Sequence, residues 1–493
     1  MTDSITVRSP RTGAVVGNVP ITFPAGVADV VSRSRKAFEQ WSRLTPEERR
    51  PYLKALLRTL AHNIDRVADV IVSETGKDRG DAIGGDIVIA LANLDYYARH
   101  AHRLLRPRPG KWWPLPLTKA WTEFHPRGVA GVISPWNFPF QLSLNPVVTA
   151  LAAGCSVVLK PSEVTPLSGQ LVAELAAEAD LPADLVMVIN GYGDTGEALV
   201  RGGVDVVAFT GSTETGKLVA KAAADRLVPT ILELGGKDAM LVLADADPDL
   251  AARAAVFGST FNAGQACTSV ERVYVVDSIY EPFLAAAERT MRSLTAGDGG
   301  RSDIGVITYP QQLGLIEEQV REAVAKGATV VVGGHRVGDN AYAPTLLTEV
   351  DHRMLVCRDE TFGPVLSVMR VPDETTALEL CNDSRYGLHG SVWTKDHRKG
   401  VRLASQMQTG TVAINDITIN FFVPSVPFGG IKESGYGASF GPEGLYAYCY
   451  PKGITLARVA PVTKLLGAWL PRRPPPFGGP RHWKRIGRLV ARR

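Results

Sequence analysis

GVAGVISPWNFPFQLSLNPVVTALAAGCSVVL, residues 128–159, is the stretch whose reading decides the fold. It runs for 32 residues without Asp, Glu, Lys or Arg, which is long enough to cross a bilayer. Its interior argues against that. Pro135, Pro139 and Pro146 interrupt it, and Asn137, Gln141, Ser143 and Asn145 lie between them. Proline removes a helical donor and clashes with the preceding turn, so one continuous spanning helix is disfavoured. A strand over 128–133, a loop, a buried helix and a second strand at 156–159 fit better. Strands this apolar belong to a parallel sheet covered on both faces.

The same alternation extends outward. Residues 27–41 and 45–75 read as amphipathic helices, the second with Leu53, Leu56, Leu57 and Leu60 at helical spacing. Thr45 followed by Pro46 suits its start. Short β-branched runs recur at 186–189, 204–209 and 230–234, separated by helical patterns at 166–178 and 214–224. A second series from 238 to about 415 places strands at 272–276, 329–332, 365–371 and 411–414. Alternating strands and helices predict doubly wound parallel sheets. A chain of 493 residues exceeds one hydrophobic core, so at least two domains are expected.

Composition narrows the class. Hydrophobic residues at 45% and charged residues at 21% are those of an ordinary globular protein. Cys155, Cys267, Cys357, Cys381 and Cys449 are scattered and odd in number, without metal-ligand spacing. That predicts no disulfide framework, no metal site and a reducing compartment. The start, Met1-Thr2-Asp3-Ser4, lacks the basic and apolar blocks of a signal peptide, so a cytoplasmic location is expected. No nucleic-acid partner is expected either. The net charge of +4 conceals an asymmetry: from Lys452 onward there are eleven Lys and Arg and no acid, so the preceding chain is net acidic.

Two segments carry chemistry. Ile231-Leu232-Glu233-Leu234-Gly235-Gly236-Lys237 places a carboxylate among apolar residues before two glycines. Phe261-Asn262-Ala263-Gly264-Gln265-Ala266-Cys267-Thr268-Ser269 places a thiol in a loop of small and polar residues. A thiol can attack a carbonyl carbon, and a carboxylate can activate water against the resulting thioester. Phe209-Thr210-Gly211-Ser212-Thr213-Glu214-Thr215-Gly216 reads as strand, turn and helix, a pattern that offers N–H groups to a phosphate. Gly191-Tyr192-Gly193-Asp194-Thr195-Gly196 matches a dinucleotide fingerprint, yet such a match alone is weak and also fits a tight turn.

Together with Pro135-Trp136-Asn137-Phe138-Pro139, Lys160-Pro161-Ser162-Glu163, Glu360-Thr361-Phe362-Gly363-Pro364-Val365 and Pro427-Phe428-Gly429-Gly430, these segments resemble the NAD(P)-dependent aldehyde dehydrogenase superfamily. The resemblance covers roughly residues 8 to 455. It implies two doubly wound α/β domains, a Rossmann-like cofactor domain and a catalytic domain, with a small β oligomerisation flap. The implied divisions are 1–117 and 129–232 for the cofactor domain, 233–421 for the catalytic domain, and 118–128 and 422–457 for the flap. A basic tail, 458–493, follows.

The resemblance also implies roles. Cys267 forms a thiohemiacetal, Asn137 with the Cys267 N–H holds its oxyanion, and Glu233 activates the hydrolytic water. Pro135, Trp136, Lys160, Ser162, Glu163, Gly191, Gly211, Ser212, Glu360 and Phe362 bind the cofactor. Glu163, facing the adenosine ribose, favours NAD, with NADP also accommodated through Lys160. Phe138, Phe422 and Phe428 line the substrate tunnel and suit an aliphatic or aromatic aldehyde. The alternative is succinate semialdehyde, whose carboxylate needs a cation such as Arg127 or Arg272. A non-catalytic scaffold is a third reading, since some relatives have lost activity, but the motif residues are intact here. The implied assembly is a homodimer or homotetramer. In the tail, Trp483, Ile486 and Val490 share helical spacing opposite basic residues, which suits either an anionic membrane surface or packing on a neighbouring subunit.

Overall fold

The computed structural model describes residues 3–110, 118–297 and 302–457, and the single positions 484 and 488. Apart from those two positions, the basic tail, 458–493, with the helical spacing expected for Trp483, Ile486 and Val490, lies outside the described residues.

Residues 128–159 fold as a strand, a loop, a helix and a strand. Val129–Ile133 and Ser156–Lys160 pair in parallel, and Gln141–Ala153 is the helix between them. Nearly every side chain of that helix is buried, which accounts for its lack of charge. Pro146 sits within it. Among the described residues, no helix is long and apolar enough to cross a membrane.

These strands belong to a six-stranded sheet ordered Gly435–Tyr436, Thr230–Glu233, Val206–Thr210, Val129–Ile133, Ser156–Lys160, Val186–Val188. All pairs are parallel except Gly435–Tyr436, which runs antiparallel to Thr230–Glu233. The second sheet has seven strands: Thr329–Val332, Thr345–Thr348, Val365–Val371, Val270–Val276, Asp238–Val242, His389–Trp393 and Thr411–Ile414. Its core strands are also parallel. Separate apolar cores fill the faces of each sheet. A third sheet joins Cys449–Ala457, Thr118–Pro126 and Arg108–Gly110 in antiparallel fashion.

Three local expectations differ from the structure. The long helix over 45–75 is two, Pro46–His62 and Ile64–Thr75, because Asn63 leaves helical geometry between them. Thr45 caps the first in a reciprocal pair with Glu48. Residues 422–457, expected to act as one flap segment, divide. Gly435–Tyr436 joins the first sheet, Gly441–Ala447 is helical, and only Cys449–Ala457 pairs with 118–126. Arg108–Gly110, expected within the cofactor domain, is the third strand of the sheet that contains 118–126.

Candidate active site

The carboxyl ends of four neighbouring parallel strands bring Ile133, Lys160, Thr210 and Glu233 to one rim. Ligands of open α/β sheets bind at such a rim. A cleft of about 1060 Å³ opens there and continues to the second sheet. It gathers Pro135, Trp136, Asn137, Lys160, Ser162, Glu163, Gly211, Ser212, Glu233, Cys267, Glu360 and Phe362, residues from segments as far apart as 135 and 362.

The two glycines after Glu233 allow this convergence. A β-carbon at 236 would lie 2.3 Å from the Cys267 carbonyl oxygen, and one at 235 would crowd the Glu360 carboxylate. The Gly236 N–H instead donates to Glu360 Oε1 at 2.9 Å. The Cys267 loop is reached through left-handed backbone at Asn262, Ala263 and Gly264. Side-chain bonds hold the first of these: Asn262 Nδ2 donates to the Gln265 and Asn137 carbonyls. Left-handed geometry at non-glycine residues costs energy and persists where surrounding contacts fix it.

Cys267 is half-buried, whereas Cys155, Cys357, Cys381 and Cys449 are buried. Burial, then the Asp238, Glu233 and Glu360 carboxylates, push its thiol well above the ordinary cysteine range. At neutral pH the group is therefore held as the thiol. Its backbone N–H has no backbone carbonyl acceptor among the described residues. Asn137 is buried, and its Nδ2 donates at 3.0 Å to the Gln265 carbonyl. A primary amide has two N–H bonds, so a second donor remains for a ligand.

Glu233 is buried, with Oε1 unpaired among the described residues. Burial raises its carboxyl to about 7, and Ser439 offsets part of that shift. A carboxylate near 7 has the affinity wanted of a general base at neutral pH.

The remaining cleft walls fit a dinucleotide. Ser212 caps the helix Thr213–Ala224, and its Oγ accepts from the Thr215 N–H at 3.3 Å. Gly211 has no room for a side chain against Phe209. Lys160 Nζ lies 3.5 Å from Glu163 Oε2, with the lysine buried and the carboxylate half exposed. At the other end, burial lifts Glu360 to about 8, and Trp136 meets Phe362 edge-on at 5.4 Å. A helix N-terminus, a ribose-sized acid–base pair and an aromatic end suit a pyrophosphate, a ribose and a flat ring.

Several expected residues lie elsewhere. Gly191 does not line the cleft; Gly193 and Gly196 do. Gly191 makes room for Thr195, whose Oγ1 would lie 2.0 Å from a β-carbon there. Phe428 is buried with Ile89, Leu388 and Phe440, and Cys267 and Phe421 pack against this cluster. Phe422, expected in the tunnel, is 48% exposed, and its neighbour Phe421 takes the inner position, 4.7 Å from Phe428. Phe138 is buried against Phe261. Neither proposed cation lines the cleft. Arg272 is buried with its guanidinium bonded to the Lys237, Leu380 and Cys381 carbonyls, and Arg127 bonds Ala447 O.

Sequence reasoning missed two buried ion pairs, Lys77 with Asp86 and Lys237 with Glu271. Glu271 accepts the Thr361 and Phe362 N–H groups and so fixes the turn carrying Phe362. Lys237 stands in the quoted motif, but nothing local marks a lysine as fully buried.

Residues 1–454 match the Aldehyde dehydrogenase family. A 4,4'-diapolycopene aldehyde oxidase of Methylomonas sp is 42% identical over 455 residues, 92% of this chain and 86% of that protein. A protein of Mycolicibacterium smegmatis named for succinate-semialdehyde dehydrogenase [NADP(+)] is 38% identical over 463 residues, 92% of this chain and 89% of that one. The crystal structure of a Mycobacterium tuberculosis aldehyde dehydrogenase complexed with NAD+ superposes with a TM-score of 0.88 at 34% identity, covering 94% of this chain and 96% of that one.

Proposed function

This chain belongs to the aldehyde dehydrogenase family, and we propose that it oxidises an extended, apolar aldehyde to the carboxylic acid, with Cys267 as nucleophile. The observation that carries the reading is the meeting of Cys267, Glu233, Asn137 and Glu360 in one cleft. Cys267 is also the only half-buried cysteine of the five.

In this mechanism the Cys267 thiol gives its proton to water, and Cys267 Sγ bonds to the aldehyde carbon. The carbonyl oxygen takes up the electron pair and is held by Asn137 Nδ2 and the Cys267 N–H. When bound, NAD(P) supplies the hydride acceptor, and its cationic ring favours the thiolate. Loss of hydride from the substrate carbon leaves a thioester on Cys267. Glu233 takes a proton from water, the water oxygen adds to the thioester carbon, and the carbon–sulfur bond breaks. The acid leaves, and Glu233 returns its proton to the Cys267 sulfur. A donor to the oxyanion contributes about 10²–10³ in rate. The cofactor would be held by Lys160, Ser162 and Glu163 at one ribose, by Gly211 and Ser212 at the pyrophosphate, and by Glu360 and Phe362 at the ring end, beside Pro135 and Trp136. Glu163 supports NAD as the preferred form. The relative named for NADP(+) keeps the phosphorylated form in view.

Three features support an apolar substrate. The cluster against Cys267 is built from Ile89, Leu388, Phe428 and Phe440. Ile419 and Phe422 remain exposed on the turn whose Phe421 packs against it. The Methylomonas relative names a diapolycopene aldehyde, while Arg127 and Arg272 are committed to backbone carbonyls. The chain's basic tail would hold the enzyme to an anionic membrane that dissolves such a substrate, each basic residue adding about 1 kcal/mol near the surface. The flap sheet would pair subunits into a homo-oligomer through its edges. A panel of aldehydes from short to long chain, with succinate semialdehyde included, tests the substrate reading. We expect kcat/KM to rise with apolar length; a preference for succinate semialdehyde would overturn it. Sedimentation with anionic vesicles, comparing the full chain with one ending at Ala460, tests the tail. Equal partitioning would remove the membrane from the proposal.

A further inference from the structure

Asn137 is held from two sides. On one side, its Nδ2 donates to Gln265 O, and its carbonyl accepts Asn262 Nδ2 at 3.0 Å, which ties it to the Cys267 loop. On the other side lies Lys77, whose Nζ donates to the Asn137 carbonyl at 2.7 Å and to Asp86 Oδ2 at 2.9 Å. The Lys77 and Asp86 side chains are 1% and 0% exposed. The ammonium also sits 4.4 Å from the centroid of the Phe138 ring.

Asp86 uses its other oxygen on the same segment. Oδ1 accepts the N–H groups of Phe140 and Gln141 at 3.2 and 3.1 Å. One ion pair therefore grips residues 137–141 at both ends, the carbonyl at 137 through the cation and the amides at 140 and 141 through the anion. Gly76, with φ of 70°, ends the helix Ile64–Thr75 and starts the turn into Lys77. A β-carbon at Gly76 would collide with Val306 at 2.4 Å.

A buried ion pair is a weak source of stability, because desolvating both charges offsets their attraction, and well-packed apolar residues often do as well. What an apolar pair cannot do is bond a carbonyl and two amides. We propose that Lys77 and Asp86 are positioning residues for Asn137, fixing its amide where the substrate oxyanion forms. This rests on the reading that Asn137 holds that oxyanion.

A double-mutant cycle on the holoenzyme tests it, with single-turnover NADH formation as readout. Asn137→Ala should slow that step about 10²–10³-fold. Lys77→Met should slow it up to about 10²-fold, the scale of a misplaced group, while the NAD dissociation constant stays within about twofold. The double variant should be no slower than Asn137→Ala alone, since the ion pair then has nothing to position. Losses that multiply would overturn the inference and leave Lys77 a packing residue. If Lys77→Met does not fold, Asp86→Asn keeps the shape and the acceptor while removing the charge, and the same non-additivity is expected with a smaller single loss. An unchanged rate in Asn137→Ala would instead sink the oxyanion reading, and the positioning role with it.

Discussion

A β-carbon on residue 235 would lie 2.5 Å from Oε2 of Glu360, so Gly235 is the position at which a strand end yields to a carboxylate from the segment leading into the strand Val365–Val371. The neighbouring Gly236 N–H then holds Glu360 Oε1. Gly235→Ala should push Glu360 out of place at a cost in stability of about 1–3 kcal/mol, typical of overpacking. The expected kinetic signature is a raised KM for the cofactor, by about 10-fold or more, with a smaller change in KM for aldehyde. Cofactor titration by protein fluorescence checks it; unchanged cofactor affinity would show that Glu360 does not bind there.

Cys267→Ala should abolish aldehyde oxidation and leave NAD binding in place. In the unaltered protein, iodoacetamide should react with Cys267 ahead of the four buried cysteines. The reaction should be slow at pH 7, because burial and three carboxylates hold the thiol protonated, and faster with NAD present. Mass spectrometry of the labelled peptide reads both effects. Residual turnover in Cys267→Ala would end the covalent mechanism.

Glu233→Gln separates two consequences of one buried carboxyl. It should give a burst of NADH and then stall at the acyl-enzyme, because hydride transfer precedes hydrolysis. Stopped-flow absorbance shows the burst, and its loss would place Glu233 earlier in the cycle. Stability should move the other way. The folded carboxyl titrates near 7 and the unfolded one near 4.5. The native state therefore binds the extra proton between these values and loses stability as pH rises through the window. A neutral amide escapes that loss. Glu233→Gln should be more stable than the parent at pH 8, by up to about 3 kcal/mol, and no more stable at pH 4.

Glu163→Gln should improve the use of NADP relative to NAD. The carboxylate repels a 2′-phosphate, and Lys160, 3.5 Å away, is left to attract it once the negative charge is gone. A shift of about 10-fold in the ratio of kcat/KM values is expected, corresponding to about 1.4 kcal/mol. A parent enzyme that already prefers NADP would show that Lys160 dominates this end of the cleft.

Much of this was legible before folding. The alternation of apolar runs with helical patterns led to parallel sheets, and the motifs around Asn137, Lys160, Ser212, Glu233, Cys267 and Glu360 led to one cleft. The failures share a cause. Asn63 breaks a helix whose apolar spacing continues across it. Phe421 and Phe422 are adjacent and chemically alike, and only the short helical turn Ile419–Phe422 decides which of them turns inward. Gly191 carries a fingerprint pattern, yet its missing side chain serves Thr195 instead of a ligand.

The sequence by itself determined which reactive groups this protein holds: a thiol, a carboxylate, an amide and the glycines beside them. That information is local, because a residue type states its own chemistry and a short pattern states its backbone. Tertiary structure alone decided their environment. Glu233 lies near 7 because other segments bury it, and Cys267 is held protonated first by burial and then by the carboxylates of 238, 233 and 360. Lys77 and Asp86 became a buried clamp because each could be stripped of water only opposite the other and the backbone of 137–141. Desolvation and charge pairing depend on distances between segments far apart in the chain, and those distances exist only once the sheets have packed.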